Sequence, residues 1–125
     1  MSFTSDIRAN IIKNRLYLRL SGVMTDQDAV SVADRIMAEI GKLTPGFAVI
    51  NDISNLKPAS QAATEHLRRA QEASVKSGSR RVIRVVGEQV ITEMQWNRTL
   101  KPSHGKAAEV AATVEQAERM LDSKN

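Results

Sequence analysis

Apolar residues either alternate or recur at helical spacing in successive segments of the chain, and these segments predict strands and helices. Residues 6–13 and 15–21 predict a leading β-hairpin, because the leucines of the second segment alternate with more polar neighbours. Residues 26–43 place apolar side chains every three or four positions, which is typical of an amphipathic helix. Either Thr25 or Asp26 is expected to cap this helix.

The middle of the chain predicts two further strands with a helix between them. Residues 47–50 are continuously apolar, as expected of a strand that is covered on both faces. A loop at 54–59 follows, and then a helix over 60–76 that stops before a glycine. Residues 80–87 are rich in β-branched side chains and predict the next strand.

The remaining residues predict a helix over 88–100, a short strand over 107–112, and a last helix with a capping box of Thr113 and Gln116. The order is therefore β-β-α-β-α-β-α-β-α. Strands that alternate with helices form right-handed crossovers. We expect one α/β domain over residues 1–125, in which a leading hairpin and βα repeats build a mixed, largely parallel sheet with helices packed against it.

Composition narrows the class of protein. The chain has 125 residues, of which 42% are apolar and only 3% are aromatic, so the core must be aliphatic. The absence of cysteine excludes disulfides, thiolate zinc sites and thiol chemistry. No apolar run is long enough to span a bilayer, and the N-terminus lacks the layout of a signal peptide. The sequence thus predicts a cytoplasmic protein without a membrane span.

Charge is unevenly distributed along the chain. Residues 57–106 hold ten Lys or Arg against four Asp or Glu, a net charge of +6, whereas the whole chain carries +4. A basic region of this kind attracts nucleic acid or anionic surfaces. Because the region lacks interleaved aromatic residues and any nucleic-acid-binding motif, we interpret it as a solvated helix face with basic strand ends, and we expect no nucleic-acid partner.

Sequence motifs for catalysis are absent. The chain has neither a P-loop nor a nucleophile elbow, and its two histidines have no acidic or histidine neighbours at metal-ligand spacing, so no metal or cofactor is expected. An enzyme would need a pair such as Asp52 as base and His104 as acid, and nothing in the sequence brings them together. We therefore predict that the protein is not an enzyme.

The end of the central strand carries the most suggestive polar residues. Asn51, Asp52 and Ser54 follow the apolar run, and Lys57 and Ser60 come shortly before the next helix. Free N–H groups at a helix start favour anions, so this region predicts either an anion pocket or a phosphorylation site at Ser54 or Ser60. The alternative is local turn chemistry, in which the same side chains bond to nearby amides and cap the helix.

Arg84 interrupts an apolar strand. A buried guanidinium is unfavourable without a partner. We expect Arg84 to lie at an edge, to face solvent, or to pair with a carboxylate such as Asp52 or Glu88.

Four stretches, in this order and spacing, resemble the STAS family, the SpoIIAA-like fold of anti-sigma-factor antagonists. They are "RLYLRLSGVMT", "FAVINDISNL", "RRVIRVVG" and "HGKAAEVAATVEQAERML", and they lie between about residues 10 and 122. The family's pattern resembles D-[LIV]-S-x-[LIV]-x-x-[LIVM]-D-[ST]-[ST]-G. Residues 52–56 match its first half. In the second half Ser60 replaces the aspartate, and residues 61–63 replace the hydroxyl pair and the glycine.

The resemblance implies a non-catalytic regulatory module that acts by protein–protein contact. In the family, a kinase that is also an anti-sigma factor phosphorylates the serine or threonine and thereby breaks partner binding. The implied partner is thus a regulatory protein of anti-sigma-factor or kinase type. The implied contact face is the loop 54–60 and the second helix, with Arg68, Arg69 and Glu72 at its rim.

The alternative reading is a small-ligand carrier or sensor, because relatives of this fold without the serine resemble ligand-binding modules. An anionic or lipid-like ligand would then lie between the loop 52–60, the turn after the strand 80–87, and a pocket formed by Met94, Trp96 and His104. Trp96 also suits a core edge or a partner anchor. The leading hairpin exposes an edge strand, which is compatible with a homodimer.

Overall fold

Five strands form one mixed sheet in the part of the chain that the structure, a computed structural model, describes, namely residues 2–87 and 109–123. The strands and helices are β1 (Thr4–Asn10), β2 (Arg15–Gly22), α1 (Asp26–Ile40), β3 (Ala48–Leu56), α2 (Gln61–Lys76), β4 (Arg81–Val85), β5 (Glu109–Ala111) and α3 (Val114–Asp122).

The sheet order is β1-β2-β3-β4-β5. β1 and β2 are antiparallel, and each of the other neighbouring pairs is parallel. This arrangement confirms the predicted α/β fold with a leading hairpin and a mixed, largely parallel sheet. The helix predicted over 88–100 and the first residues of the strand predicted from 107 lie outside the described residues.

β3 is covered on both faces, as its continuous apolar run predicts. Val49 packs into a core shared with β2, α1 and α2, whereas Ala48 and Ile50 pack into a second core with β4, β5 and α3. All three side chains are buried. The alternation of β3 therefore divides the molecule into two layers of helices around one sheet.

Several predicted boundaries are wrong. β1 ends at Asn10 rather than at 13, because Ile11 and Ile12 belong to the turn, where they are largely exposed despite their apolar character. β3 continues to Leu56, so the predicted start of the loop at 54 is wrong, and the connection between β3 and α2 consists of residues 57–60. Pairing with β2 extends the strand past the end of the apolar run.

Side-chain caps define the starts of α1 and α3. Thr25 caps α1 and forms a reciprocal capping box with Asp28. Thr113 caps α3 by accepting a hydrogen bond from the Gln116 N–H, but the Gln116 side chain accepts from Ala112 instead of Thr113. The predicted cap of the last helix is thus present in a modified form.

A charged network attaches α3 to β2. Arg15, which is buried, donates to Glu118 at 2.5 Å and to Asp122 at 2.7 Å. Tyr17 donates to the same Glu118 carboxylate at 2.9 Å. Burial would raise the pKa of Glu118, but the hydrogen bonds from Tyr17, Arg15 and Lys13 outweigh it, and the pKa is lowered. The folded protein therefore stabilises the charged form of this carboxylate.

Replacing Glu118 by Gln should reduce the free energy of unfolding at pH 7 by about 1–3 kcal/mol, because the buried Arg15 loses one of its two charged acceptors. The pKa of Glu118 is lower in the folded chain than the ordinary value of 4.5. Its contribution is therefore complete well above pH 4.5 and is lost as the pH falls below that value. Urea unfolding of both proteins between pH 7 and pH 3 measures this difference.

The matched control is Asp34→Asn, which removes an exposed carboxylate from α1. It should change stability by less than about 0.5 kcal/mol. A difference between Glu118→Gln and the parent protein that stays constant down to pH 3 would contradict the role assigned to the charge.

Candidate functional site

The Asp52 carboxylate holds the end of β3 together. Its Oδ1 accepts hydrogen bonds from the Ser54 N–H at 3.1 Å and from the Ser54 hydroxyl at 2.6 Å. Its Oδ2 accepts from Arg19 Nε on β2 at 3.2 Å. Asp52 is buried, whereas the Arg19 side chain is 64% exposed. The structure thus shows the turn chemistry that the sequence left open, and it adds Arg19, which sequence reasoning missed.

A β-bulge at this place changes which side chains face α1 and α2. Arg19 of β2 pairs with Asp52 of β3, and Ser21 pairs with Asn55. An advance of two residues along β2 is thus matched by an advance of three residues along β3. The extra residue shifts the alternation of β3. As a result Leu56, rather than Asn55, packs into the core below α1 and α2, while Asn55 is exposed.

Ser60 caps α2 and joins it to the start of α1. Its hydroxyl accepts from the Ala63 N–H at 3.1 Å and lies 2.5 Å from Asp26 Oδ1, to which it donates. The start of α2 therefore already has a carboxylate beside it. The two candidate serines do not share a hydrogen-bonded group, since Ser54 bonds to Asp52 and Ser60 bonds to Asp26.

The predicted basic residues of the contact face are exposed, but they differ in their partners. Arg68 pairs with Glu65 at 2.8 Å and with Glu72 at 3.5 Å on its own helix. Arg69 lies 3.4 Å from a ring nitrogen of His66. Lys57 is exposed, and its backbone N–H donates to Gly22 at 3.0 Å, which anchors the loop 57–60 to the end of β2.

Among the alternatives predicted for Arg84, pairing with Asp52 is wrong, and so is an edge position, because β4 lies between β3 and β5. Alternation along β3 puts Asp52 on the face toward α3, and Arg84 lies opposite Asn51 on the face toward α1 and α2. Arg84 is half-buried, and it forms no hydrogen bond or ion pair with any residue in the ranges 2–87 and 109–123.

A cavity of about 500 Å³ lies between the sheet and α2. Aliphatic residues of β2, β3 and β4 form its floor, and α2 forms most of its roof. Asn51, Ser74 and Arg84 contribute polar groups to its wall. Within the described part of the chain, Asn51 Oδ1 and Ser74 Oγ are buried without a hydrogen-bond partner.

Sequence reasoning missed this cavity, although two signals of it are present. The buried positions of α2 are the small residues Ala63, Ala70 and Ser74, and the central strand carries Asn51 directly after its apolar run. Both features follow from the helical and strand periodicities. Periodicity does not specify the distance between α2 and the sheet.

The pocket predicted around Met94, Trp96 and His104 lies outside the described residues, as does Glu88. In the ranges 2–87 and 109–123, no three His, Asp or Glu side chains are grouped so that they could hold a metal ion. In the same ranges, no helix combines the length and the apolar character needed to cross a membrane.

Comparison with solved structures identifies the architecture, while no family model and no curated protein matches the sequence. An anti-sigma factor antagonist from Mycobacterium paratuberculosis superimposes with a TM-score of 0.61 at 15% identity, over 98% of this chain and 96% of that one. The chain has the SpoIIAA-like (STAS) fold.

Two further structures with the STAS fold are similar over nearly their whole length. The anti-sigma factor antagonist SpoIIAA in its unphosphorylated form has a TM-score of 0.59 at 17% identity, over 97% of this chain and 98% of that one. A protein described as an anti-sigma factor antagonist from Thermotoga maritima has a TM-score of 0.60 at 11% identity, over 97% of this chain and 95% of that one. The TM-scores and the coverage establish a common fold, which confirms the resemblance noted in the sequence.

Replacing Asp52 by Ala should reduce the free energy of unfolding by about 1–3 kcal/mol, because the carboxylate is buried and three donors lose their acceptor. Replacing Arg19 by Met should have a smaller effect, below about 1 kcal/mol, since its side chain is mostly exposed. Urea unfolding at pH 7 measures both.

The control for this pair is Asp6→Ala on β1, whose ion pair with Arg8 at 3.4 Å is exposed on both sides. It should change stability by less than about 0.5 kcal/mol. Equal effects of Asp52→Ala and Asp6→Ala would show that the end of β3 does not depend on the Asp52 carboxylate.

Proposed function

We propose that the protein is a non-catalytic regulatory module that binds another regulatory protein, of anti-sigma-factor or kinase type, through the loop 57–60 and the exposed face of α2. The observation that carries this proposal is the likeness in fold, over 97–98% of the chain, to structures described as anti-sigma factor antagonists. Because one fold can serve many functions, the proposal also needs support from the site itself.

The geometry of the β3–α2 connection supplies that support. Lys57 and Ser60 are exposed, and so are Arg68 and Arg69 farther along α2. Backbone and side-chain hydrogen bonds hold the loop at both of its ends, at Gly22 and at Asp26. A loop that is exposed and already ordered loses little conformational entropy when a partner docks on it.

In this proposal Asp52 has a structural role and does not transfer protons. Its two oxygens already accept three hydrogen bonds. A general base needs a free acceptor within reach of the proton that it removes. This supports a binding role for the end of β3, and the absence of catalysis remains part of the proposal.

Phosphorylation of Ser60 would act as a switch in this arrangement through repulsion. The hydroxyl that would carry the phosphoryl group now donates to Asp26. Two unit charges about 4 Å apart repel by about 1 kcal/mol in water and about 4 kcal/mol at an effective dielectric constant of 20. A phosphate carries nearly two charges, whereas the helix start favours an anion by at most about 1 kcal/mol at an exposed site. Repulsion therefore exceeds attraction.

Ser54 is the weaker candidate for the switch. A phosphoryl group there would meet the Asp52 carboxylate, but Arg19 lies on the other oxygen of that carboxylate and would offset part of the repulsion. The cytoplasmic location and the homodimer through the leading hairpin stay predictions.

Replacing Ser60 by Glu should weaken the capture of the regulatory partner by at least about tenfold, because the new carboxylate repels Asp26 and removes the hydrogen bond between α1 and α2. The measurement is a pull-down from a native lysate, quantified by mass spectrometry against the parent protein. Ser31→Glu is the matched control, since it makes the same change at an exposed position of α1. Recovery of the same partners in the same amounts by all three proteins would rule out this contact face.

The intact mass of the protein purified from its own cells tests the switch separately. We expect a fraction that is heavier by one phosphate, with the modification mapped to Ser60 by fragmentation. A modification confined to Ser54 would move the switch to the Asp52 cluster. A uniform unmodified mass under every growth condition tested would rule out the phosphorylation switch. The proposed contact face would then be tested by the pull-down alone.

A further inference from the structure

The size of the cavity under α2 follows from the residues that face each other across it. The buried inward positions of α2 are Ala63, Ala70 and Ser74, while β2 presents leucines from the sheet. Protein interiors normally pack without voids much larger than a water molecule. A volume of about 500 Å³ is instead within the range of small-molecule sites, which is roughly 300–1,000 Å³.

The polar groups of the wall lie together on two neighbouring strands and the helix above them. Asn51 of β3 and Arg84 of β4 are partners in the sheet register, and both line the cavity, as does the buried Ser74 of α2. The buried oxygens of Asn51 and Ser74 lack hydrogen-bond partners among the described residues. Buried polar atoms without partners are uncommon and unfavourable, so each calls for an explanation, and a bound polar group would supply one.

Arg84 determines the charge of the ligand. A guanidinium in a mostly aliphatic wall is unfavourable unless an anion accompanies it, and in the ranges 2–87 and 109–123 no carboxylate does so. Arg68 also borders the cavity, but it is already paired with Glu65 and Glu72. Among the described residues that line the cavity, Arg84 is therefore the cation without a carboxylate partner, which suits a ligand with a single negative charge.

The rest of the lining determines the shape of the ligand. Leucine, isoleucine and valine side chains cover most of the floor, and none of the described lining residues is aromatic. A nucleotide base would have no ring to stack on. An alkyl chain, by contrast, removes apolar surface from water along the whole floor.

We propose that this cavity binds a long-chain carboxylic acid, with the alkyl chain between the sheet and α2 and the carboxylate on Arg84, close to Asn51 and Ser74. The proposal is independent of the proposed regulatory function, because it can be tested on the purified chain without a partner protein.

The test uses dodecanoate as the probe and isothermal titration calorimetry on the purified full chain, below the concentration at which dodecanoate forms micelles. We expect saturable binding of one dodecanoate per chain. Dodecanol, which has the same chain without the charge, should bind at least tenfold more weakly, and butanoate, which has the charge without the long chain, should not bind measurably. Absence of saturable dodecanoate binding, or equal binding of dodecanol, would overturn the proposal.

Variants locate the site. Arg84→Met should raise the dissociation constant for dodecanoate by about 10- to 100-fold, because it removes the charge and keeps an apolar side chain of similar length. Arg84→Lys should retain most of the affinity. Arg80→Met is the matched control at an exposed position beside the start of β4, and it should bind as the parent protein does. Equal affinities of Arg84→Met and Arg80→Met would place any binding elsewhere.

A cavity-filling variant gives a second, independent readout. Ala70 lies at the roof and is buried. Ala70→Leu should abolish dodecanoate binding while urea unfolding remains cooperative, because the added side chain occupies the space of the alkyl chain. Undiminished binding by this folded variant would overturn the proposal. If the variant does not fold, the titrations of the parent protein and of the two arginine variants decide the question.

Discussion

Burial of β3 on both faces is the constraint on which the rest of the structure depends. Val49 faces the core below α1 and α2, and Ala48 and Ile50 face the core below α3. A strand with two buried faces needs hydrogen-bonded strands on both edges and packed layers on both sides, since its backbone groups and its apolar side chains all need partners. β2 and β4 are the neighbouring strands, and the helices cover the two faces.

The transition from this buried strand to the surface takes place within three residues. Asp52 is the last buried residue of the face toward α3, and its carboxylate accepts hydrogen bonds from Ser54 and from Arg19 of the neighbouring strand. The bulge that follows keeps Leu56 in the core on the other face while Ser54 and Asn55 become exposed. The polar residues at the end of β3 thus allow a buried central strand to end at the surface. They also orient the loop that leads to α2.

α2 connects the two proposed activities of the protein. Its start, at Ser60, is joined to α1 through Asp26, and its small inward residues leave the cavity above the sheet. Its outer face carries the Arg68 network with Glu65 and Glu72, which is exposed and contributes little to stability. A helix held firmly at its start but packed loosely on the sheet is suited to carry a contact surface on one side and a ligand on the other.

The sequence by itself determined the kinds of structural elements and their order, because these follow from local periodicity. The leucines of β2, the apolar run of β3 and the helical spacing of apolar residues in α1 each indicate their element without reference to any other part of the chain. The errors of prediction lie at boundaries such as Ile11 and Ile12, where an apolar residue belongs to a turn. A turn is defined by strand pairing, which a single segment does not contain.

Only the tertiary structure decided which polar side chains meet. The pairing of Arg19 with Asp52, the position of Arg84 on the opposite face, and the contact of Ser60 with Asp26 all join residues that are more than 30 positions apart or depend on the register between strands. The cavity likewise depends on the distance between α2 and the sheet. Register and interlayer distance arise from packing the whole chain at once, and for that reason no local pattern encodes them.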